Sequence, residues 1–330
     1  MRWEVDDGPA SWYTRIYRVG MRLRRDKRAF EGSRHTLAVA RDRQARGDAG
    51  PGRLTRATRR LGRREVPGLS AWLVRPRRRA PVVRVLYVHG GGYVHPLTRD
   101  YWRLFRTLTS GRSPAPAEVV VPAYPLAPEA TVDDVLPRLL DLYDALVADG
   151  AGQPIVLMGD SAGGALVLAM ACRLRDRGAG PSGTCVRPAR LVLLSPWLDG
   201  ELEERSVADL EPTDPMLAES GLRAAARWWS GARPPSDPLV SPVHADLGGL
   251  PPADVFIGAH DILRPAVDEL VGAAGRDGLA LTVHERTAMF HVWMTRAIPE
   301  GRRTRRELAA LLGPVADSAA TRSPRPARAP

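Results

Sequence analysis

The sequence predicts an α/β fold, in which a mostly parallel sheet carries helices on both faces. From about residue 81, short apolar runs alternate with helix-length segments, a rhythm typical of strand–helix–strand units. The runs are apolar at almost every position, which is the pattern of strands buried on both faces. With 330 residues, of which 44% are hydrophobic, the chain can bury a large core.

The predicted elements follow in order along the chain. Strands are predicted at 82–90, 117–124, 154–159, 189–197, 253–260 and 279–285. Helices are predicted at 100–111, 131–149, 161–178, 216–231, 264–275 and 302–312.

Three segments depart from this rhythm. Residues 1–60 are predicted to form one or two helices followed by an Arg-rich stretch. The acidic, Pro-containing stretch 199–235 interrupts the alternation of strands and helices. The tail 318–330 is rich in Pro, Arg and Ala without apolar periodicity, so we expect it to be disordered. Residues 1–317 are then expected to form a single domain.

The net charge of +11 is concentrated at the two ends of the chain. Residues 1–80 carry +14, residues 81–300 carry −8, and residues 301–330 carry +5. A basic segment attracts phosphates, but this one contains no recognisable nucleic-acid-binding module. We interpret it mainly as solvated helix faces, so nucleic acid is not favoured as a partner. An acidic protein partner for the basic N-terminal segment stays open.

Cysteine content and hydropathy exclude several classes of protein. Two cysteines rule out a disulfide scaffold and a four-cysteine zinc site. The sequence contains neither a run of 18 apolar residues nor the apolar stretch of a signal peptide. We therefore expect a soluble, cytoplasmic protein without a transmembrane segment.

A Gly-x-Ser-x-Gly motif at residues 159–163 is the strongest functional signal. It follows an apolar run and precedes a helix-forming run, so Ser161 is predicted to lie on a tight strand-to-helix turn. Such a turn requires small neighbours, which Gly159 and Gly163 provide, and it exposes the serine hydroxyl as a nucleophile. The helix that begins after Ser161 directs the positive end of its dipole toward a forming oxyanion.

A second glycine-rich segment, His89-Gly90-Gly91-Gly92-Tyr93, follows the first predicted strand. Glycines let the backbone approach a ligand with its N–H groups pointing outward, as an oxyanion hole requires. The alternative is a phosphate-binding loop, but the segment lacks the Gly-Lys-Ser/Thr ending and the G-x-G-x-x-G spacing. We expect the oxyanion hole to consist of the backbone N–H groups of Gly91, Gly92 and Ala162. The residues expected to support this loop are His89, Gly90, Tyr93 and Asp160.

A serine nucleophile needs a histidine base and an orienting carboxylate, in the chain order Ser, Asp or Glu, His. His291 comes just after the last predicted strand, where the carboxyl edge of the sheet would project it toward a ligand. Asp261 follows the preceding strand, about one strand–helix–strand step earlier. We therefore predict a triad of Ser161, Asp261 and His291, in which His260 is the rival base and His284 is structural.

These motifs together resemble the hormone-sensitive-lipase-like family of α/β-hydrolases, also called bacterial type IV esterases, in its GDSAGG subgroup. The shared segments are HGGGY (89–93), YPLAPE (124–129), GDSAGG (159–164), SPWLD (195–199), DPLVSP (237–242), GAHDIL (258–263) and His291. The resemblance implies an eight-stranded, mostly parallel sheet and a helical cap formed by about 1–45 and 200–232. It also implies hydrolysis of short to medium acyl esters without a metal or cofactor.

Several alternatives stay open from the sequence. The same triad supports hydrolysis of amides, lactones or thioesters, or acyl transfer in a biosynthetic pathway, and only the shape of the pocket distinguishes these reactions. A non-catalytic small-ligand receptor is a further alternative, since the gibberellin receptors resemble this family. Such receptors lose the triad histidine, whereas His291 is present. We expect a small-molecule ester as substrate, and a homo-oligomer stays open.

Overall fold

A computed structural model describes residues 1–149, 152–178, 186–202 and 205–322. Nine strands lie within this part of the chain: β1 Arg2–Asp6, β2 Arg59–Val66, β3 Leu69–Pro76, β4 Val83–Val88, β5 Ala117–Ala123, β6 Ile155–Asp160, β7 Arg190–Leu194, β8 Ala253–His260 and β9 Leu281–Phe290. They form one sheet in the order β1-β9-β8-β7-β6-β4-β5-β3-β2. The β2–β3 and β3–β5 pairs are antiparallel and the other neighbouring pairs are parallel, so the predicted, mostly parallel sheet is confirmed.

Helices cover both faces of this sheet, as predicted. Those of the described residues are α1 Trp12–Leu23, α2 Ser33–Arg46, α3 Arg53–Thr58, α4 Tyr101–Leu108, α5 Val132–Ala148, α6 Ala162–Gly178, α7 Arg205–Leu210, α8 Glu219–Ser230, α9 Pro265–Asp277, α10 Pro299–Ala310 and α11 Leu312–Arg322. Strand β4 is buried at all six positions: Leu86 and Val88 pack in one apolar cluster, and Val85 and Tyr87 pack in another. Among the described helices, none is long and apolar enough to span a membrane.

Three strands that precede residue 81 were not predicted from the sequence. Strand β2 carries four arginines and forms one edge of the sheet, where polar residues replace the apolar pattern of a central strand. Strand β1 has only five residues and forms the other edge, parallel to β9. The implied count of eight strands is therefore wrong, because nine strands form the sheet in the described part of the chain.

The predicted boundaries of the cap and the tail also need correction. Residues 2–6, which the prediction included in the cap segment 1–45, form β1 and pair with β9 instead. Residues 318–322, which were predicted to be disordered, continue α11. Alanine favours a helix there, and the first proline of the tail comes only at position 324. The remaining tail residues, 323–330, lie outside the described residues.

The predicted site residues follow the carboxyl ends of parallel strands. His89 follows β4, Asp261 follows β8 and His291 follows β9, while Ser161 comes directly after β6. Because parallel strands end at the same edge of a sheet, the loops that leave them meet there. Strands β4 and β6 are neighbours in register, so the glycine-rich loop and the serine turn lie side by side.

Candidate active site

Ser161 lies on a strained turn between β6 and α6. Its φ is +51°, a left-handed conformation that is costly for a residue with a side chain. The turn is held by hydrogen bonds from the Ser161 N–H to the Leu194 carbonyl (2.9 Å) and from the Trp197 N–H to the Ser161 carbonyl (3.0 Å). A Cβ atom at Gly163 would lie 2.1 Å from the Val88 carbonyl oxygen, so no larger residue fits there. The turn predicted from the motif is present.

Asp261 and His291 form a buried pair at the same edge of the sheet. The Nδ1 atom of His291 lies 2.8 Å from Oδ2 of Asp261, and both residues are almost fully buried. The Val292 N–H donates to Oγ of Ser195 (3.1 Å), which fixes the chain just after the histidine. With Asp261 ionised, the Nδ1–H group donates to the carboxylate, and Nε2 stays available to accept a proton.

Electrostatic effects on His291 oppose one another. Burial lowers its pKa, but the charge and hydrogen bond of Asp261, with a contribution from Asp214, raise the pKa overall above its ordinary value. A nearby carboxylate stabilises the imidazolium form of a histidine, which is the form that a general base reaches during catalysis.

Asp214 is a buried carboxylate that was not predicted from the sequence. It lies in the stretch that interrupts the strand–helix alternation, and it is 2% exposed. Its Oδ1 accepts the N–H groups of Met216 (2.7 Å) and Leu217 (3.0 Å), while Oδ2 accepts that of Ile262 (3.2 Å). Burial and the nearby Asp261 raise the pKa of Asp214 to about 6. Only its acidic, Pro-flanked context distinguished it in the sequence, and that context does not indicate its partners.

The glycine-rich loop after β4 lines the site and carries two N–H groups without an acceptor in the described residues. Gly91 has a φ of +117°, and its carbonyl accepts the N–H groups of Val94 (3.1 Å) and His95 (2.9 Å). Among the described residues, the N–H groups of Gly91 and Gly92 have no backbone or side-chain acceptor. Ala162 is the first residue of α6, where a backbone N–H has no partner within the helix.

Asp160 joins this loop to the serine turn. Its buried carboxylate accepts hydrogen bonds from the Tyr87 hydroxyl (2.8 Å), the Tyr101 hydroxyl (2.7 Å) and the Gly90 N–H (3.0 Å). Burial raises the pKa of Asp160, and the hydrogen bonds from Tyr101 and Tyr87 offset part of that effect. The supporting position of Asp160 was expected, but the two tyrosines were not.

His89 and Tyr93 anchor the two ends of the loop. Nδ1 of His89 lies 2.8 Å from the Gly90 carbonyl oxygen, and its ring stacks on Tyr124 with 4.5 Å between centroids. Tyr93 is buried between Trp197 (5.3 Å) and Trp229 of α8 (4.3 Å). Tyr93 is not among the described residues that line the adjoining cavity, so it fixes the loop from behind.

The other histidines that follow Ser161 in the chain lie outside the Asp261–His291 pair. His284 is structural, as predicted, since its ring nitrogens lie 2.9 Å from Oδ1 of Asp254 and 3.1 Å from Oε2 of Glu4. His260 is half-buried and does not line the cavity within the described residues, and His244 is exposed. Within the same residues, no group of three or more His, Cys, Asp or Glu side chains could hold a metal ion.

A cavity of about 1050 Å³ opens onto these groups. Ser161, His291 and the loop glycines Gly90, Gly91 and Gly92 line it. Its lining is rich in arginine: the residues are Arg43, Arg46, Arg56, Arg99, Arg103, Arg106 and Arg296. The structure thus brings Ser161, His291 and the loop glycines to one cavity. Ala162 and Asp261 are fully buried and are not among the described residues that line it.

A model of the α/β-hydrolase fold family matches residues 85–295. The chain belongs to the α/β-hydrolase family. This α/β-hydrolase is 32% identical to an acetyl-hydrolase of Streptomyces hygroscopicus, across 66% of this chain and 71% of the relative. It is 28% identical to the esterase LipU of Mycobacterium tuberculosis, across 74% of this chain and 83% of the relative.

A similar solved structure shows to which group of α/β-hydrolases the protein belongs. The crystal structure of an esterase from the bacterial hormone-sensitive lipase family matches it with a TM-score of 0.77 and 27% identity. That match covers 93% of this chain and 99% of the other. The resemblance to hormone-sensitive-lipase-like type IV esterases is confirmed, and the protein is an enzyme of the carboxylesterase and lipase class. Its assignment to the GDSAGG subgroup stays a prediction.

Proposed function

We propose that the protein is a serine hydrolase that cleaves carboxylic esters of short to medium acyl chain length. Ser161 acts as the nucleophile, His291 as the general base and acid, and Asp261 as the carboxylate that orients the imidazole. The observation that carries this proposal is the buried 2.8 Å contact between His291 and Asp261 behind a cavity that Ser161 also lines.

The proposed reaction proceeds in two halves. Oγ of Ser161 bonds to the ester carbonyl carbon while its proton passes to Nε2 of His291. The bond from the carbonyl carbon to the alcohol oxygen then breaks, and the alcohol leaves with that proton. A water oxygen next bonds to the acyl carbon while one of its protons passes to His291. The bond from the acyl carbon to Oγ of Ser161 then breaks, Oγ takes that proton, and the carboxylic acid is released.

Negative charge develops on the carbonyl oxygen in both halves. We assign its stabilisation to the N–H groups of Gly91, Gly92 and Ala162. The absence of other acceptors for the two glycine N–H groups within the described residues supports this assignment. Donors that are already oriented in a site of low dielectric stabilise such an oxyanion without reorganisation.

The similar proteins support ester hydrolysis as the reaction. The relatives are named an acetyl-hydrolase and an esterase, and the similar solved structure is also an esterase. Asp261 adds to His291 the electrostatic support that a general base requires.

The decisive experiment measures hydrolysis of 4-nitrophenyl butyrate by the wild type and by Ser161→Ala. We expect kcat to fall by roughly 10⁴–10⁶-fold. Ser70→Ala is the matched control, because Ser70 lies on the β2–β3 hairpin and bonds Arg63 instead of lining the cavity. An unchanged rate for Ser161→Ala would exclude the proposed nucleophile. A series of acyl chains from acetate to dodecanoate then tests the chain-length preference.

A further inference from the structure

The cavity that holds Ser161 has an excess of cationic side chains. Seven arginines and four aspartates line it. The aspartates already have partners: Asp160 accepts the two tyrosine hydroxyls, and Asp48 accepts the Leu97 N–H (2.7 Å). Asp100 bonds Arg103 and Arg296, and Asp26 bonds Arg24, which lies outside the lining. The lining arginines outnumber the lining aspartates by three, and Asp42 pairs with only one of those arginines, Arg46. Positive charge is therefore in excess around the space that a substrate would fill.

Arg43 of α2 is the clearest example. It is half-buried, yet within the described residues it makes no hydrogen bond and no ion pair. Burial lowers its pKa, which the charges of Asp26 and Asp42 only partly offset. A partly desolvated guanidinium without a carboxylate partner is costly, and an anion in the cavity would remove that cost.

His95 lines the same cavity as Arg43. It is 4% exposed, and neither ring nitrogen has a hydrogen-bond partner in the described part of the chain. Its ring meets Phe30 edge to face, with 5.1 Å between centroids. Burial lowers the pKa of His95 to about 3, with Arg43 acting in the same direction, so the ring is neutral and offers one N–H donor.

Arg296 faces the cavity from the loop that follows His291. One terminal nitrogen bonds Asp100 (2.7 Å), and the other lies 3.6 Å from the sulfur of Met216. Its Nε atom is buried and has no partner among the described residues. Two separate elements, α2 and the loop after β9, thus carry donors without a partner beside one cavity.

We propose that this cavity selects esters whose acyl or alcohol part carries an anionic group, such as a carboxylate, which Arg43, His95 and Arg296 bind. The inference rests on the proposed ester hydrolysis and names the substrate class of that same site. Guanidinium groups bind carboxylates through charge-assisted hydrogen bonds, which are stronger than neutral ones. The neutral His95 adds a donor without further charge.

The test compares esters of matched length that carry or lack an anionic group. For a charge on the acyl side, the pair is mono-4-nitrophenyl adipate and 4-nitrophenyl hexanoate. For a charge on the alcohol side, it is 4-carboxyphenyl butyrate and 4-carbamoylphenyl butyrate. We expect the charged member of at least one pair to have a kcat/KM about tenfold or more higher, mainly through a lower KM. Raising the ionic strength should reduce this preference.

Variants then assign the preference to the cavity wall. Arg43→Gln should reduce the charged-to-neutral ratio of kcat/KM about tenfold, and His95→Phe, which keeps an aromatic ring, should reduce it to a smaller extent. Arg78→Gln removes the same charge from the exposed turn after β3 and should leave the ratio unchanged. Arg296→Gln repeats the test at the loop that follows β9.

The outcomes separate this inference from the proposed hydrolysis. Equal kcat/KM values within both pairs would overturn the substrate class while leaving ester hydrolysis in place. A preference that Arg43→Gln and Arg78→Gln reduce equally would reflect net charge alone, and it would also overturn the assignment. If neither the neutral nor the charged esters are hydrolysed, or if Ser161→Ala retains full activity, the proposed hydrolysis itself fails.

Discussion

The carboxylate of Asp214 accepts a hydrogen bond from the backbone N–H of Ile262, with 3.2 Å between Oδ2 and N. Ile262 directly follows Asp261, so this bond joins the stretch that interrupts the strand–helix alternation to the loop of the proposed orienting carboxylate. The other oxygen of Asp214 holds the N–H groups of Met216 and Leu217, both of which line the cavity. One buried side chain thus bonds both to the cavity wall and to the loop of the proposed orienting carboxylate.

The negative charge of Asp214 raises the pKa of His291, so its removal should lower that pKa. A general base works in its neutral form, and activity falls as pH drops through its pKa. In Asp214→Asn, the acid limb of kcat/KM against pH should therefore shift to lower pH. The variant and the wild type should differ in kcat/KM mainly above about pH 6, where Asp214 of the wild type is ionised. The measurement is a pH profile with a neutral ester.

Asp209→Asn serves as the control for this profile. Asp209 belongs to the same stretch but is exposed, so its loss changes the net charge without altering the surroundings of His291. The two profiles should differ in the position of the acid limb. An acid limb of Asp214→Asn that moves to higher pH would contradict the electrostatic role of Asp214.

Asp261→Asn should leave the fold intact and lower kcat by about 10³–10⁴-fold, with little change in KM. An asparagine fills the same space, but its amide can favour the wrong imidazole tautomer and cannot stabilise the imidazolium. The measurement is steady-state hydrolysis of 4-nitrophenyl butyrate. Asp141→Asn, at an exposed position of α5, should retain full activity. A loss of less than tenfold in Asp261→Asn would argue against the proposed triad.

The features that could be predicted from the sequence are those encoded by neighbouring residues. The turn at Ser161 follows from two local glycines, and the strands of the central sheet follow from their continuous apolar runs. His291 and Asp261 were found because both come directly after such runs, at one edge of the sheet.

Contacts between residues distant in the chain could not be predicted in this way. Tyr101 bonds Asp160 across 59 positions, and Asp214 bonds Ile262 across 48. These partners depend on how helices and loops pack, and single polar residues carry no periodic signal. The edge strands β1 and β2 were missed for a related reason, because a solvent-facing edge favours charged residues over an apolar run.

Tyr101→Phe should lower the free energy of unfolding by about 1–3 kcal/mol, because it leaves the buried carboxylate of Asp160 short of one donor. Activity should also fall, since Asp160 holds the Gly90 N–H at the start of the oxyanion loop. Urea unfolding and ester hydrolysis measure the two effects. Tyr13→Phe, at a largely exposed tyrosine of α1, should change neither. Unchanged stability in Tyr101→Phe would mean that the Asp160 network does not stabilise the fold.

Gly90→Ala should impair activity by displacing the oxyanion loop from the serine turn. A Cβ atom at this position would lie 2.4 Å from Oδ2 of Asp160 and 2.8 Å from Cβ of Ser161, so the loop or the serine must move. A displacement of about 1 Å in a catalytic group can cost on the order of 10²-fold in rate. Gly111→Ala is the matched control, because a Cβ there meets no atom within 4 Å. Hydrolysis of 4-nitrophenyl butyrate and thermal unfolding should show a large loss of kcat for Gly90→Ala and wild-type behaviour for Gly111→Ala. If Gly90→Ala is as active as the wild type, the loop does not need the close approach that these distances show.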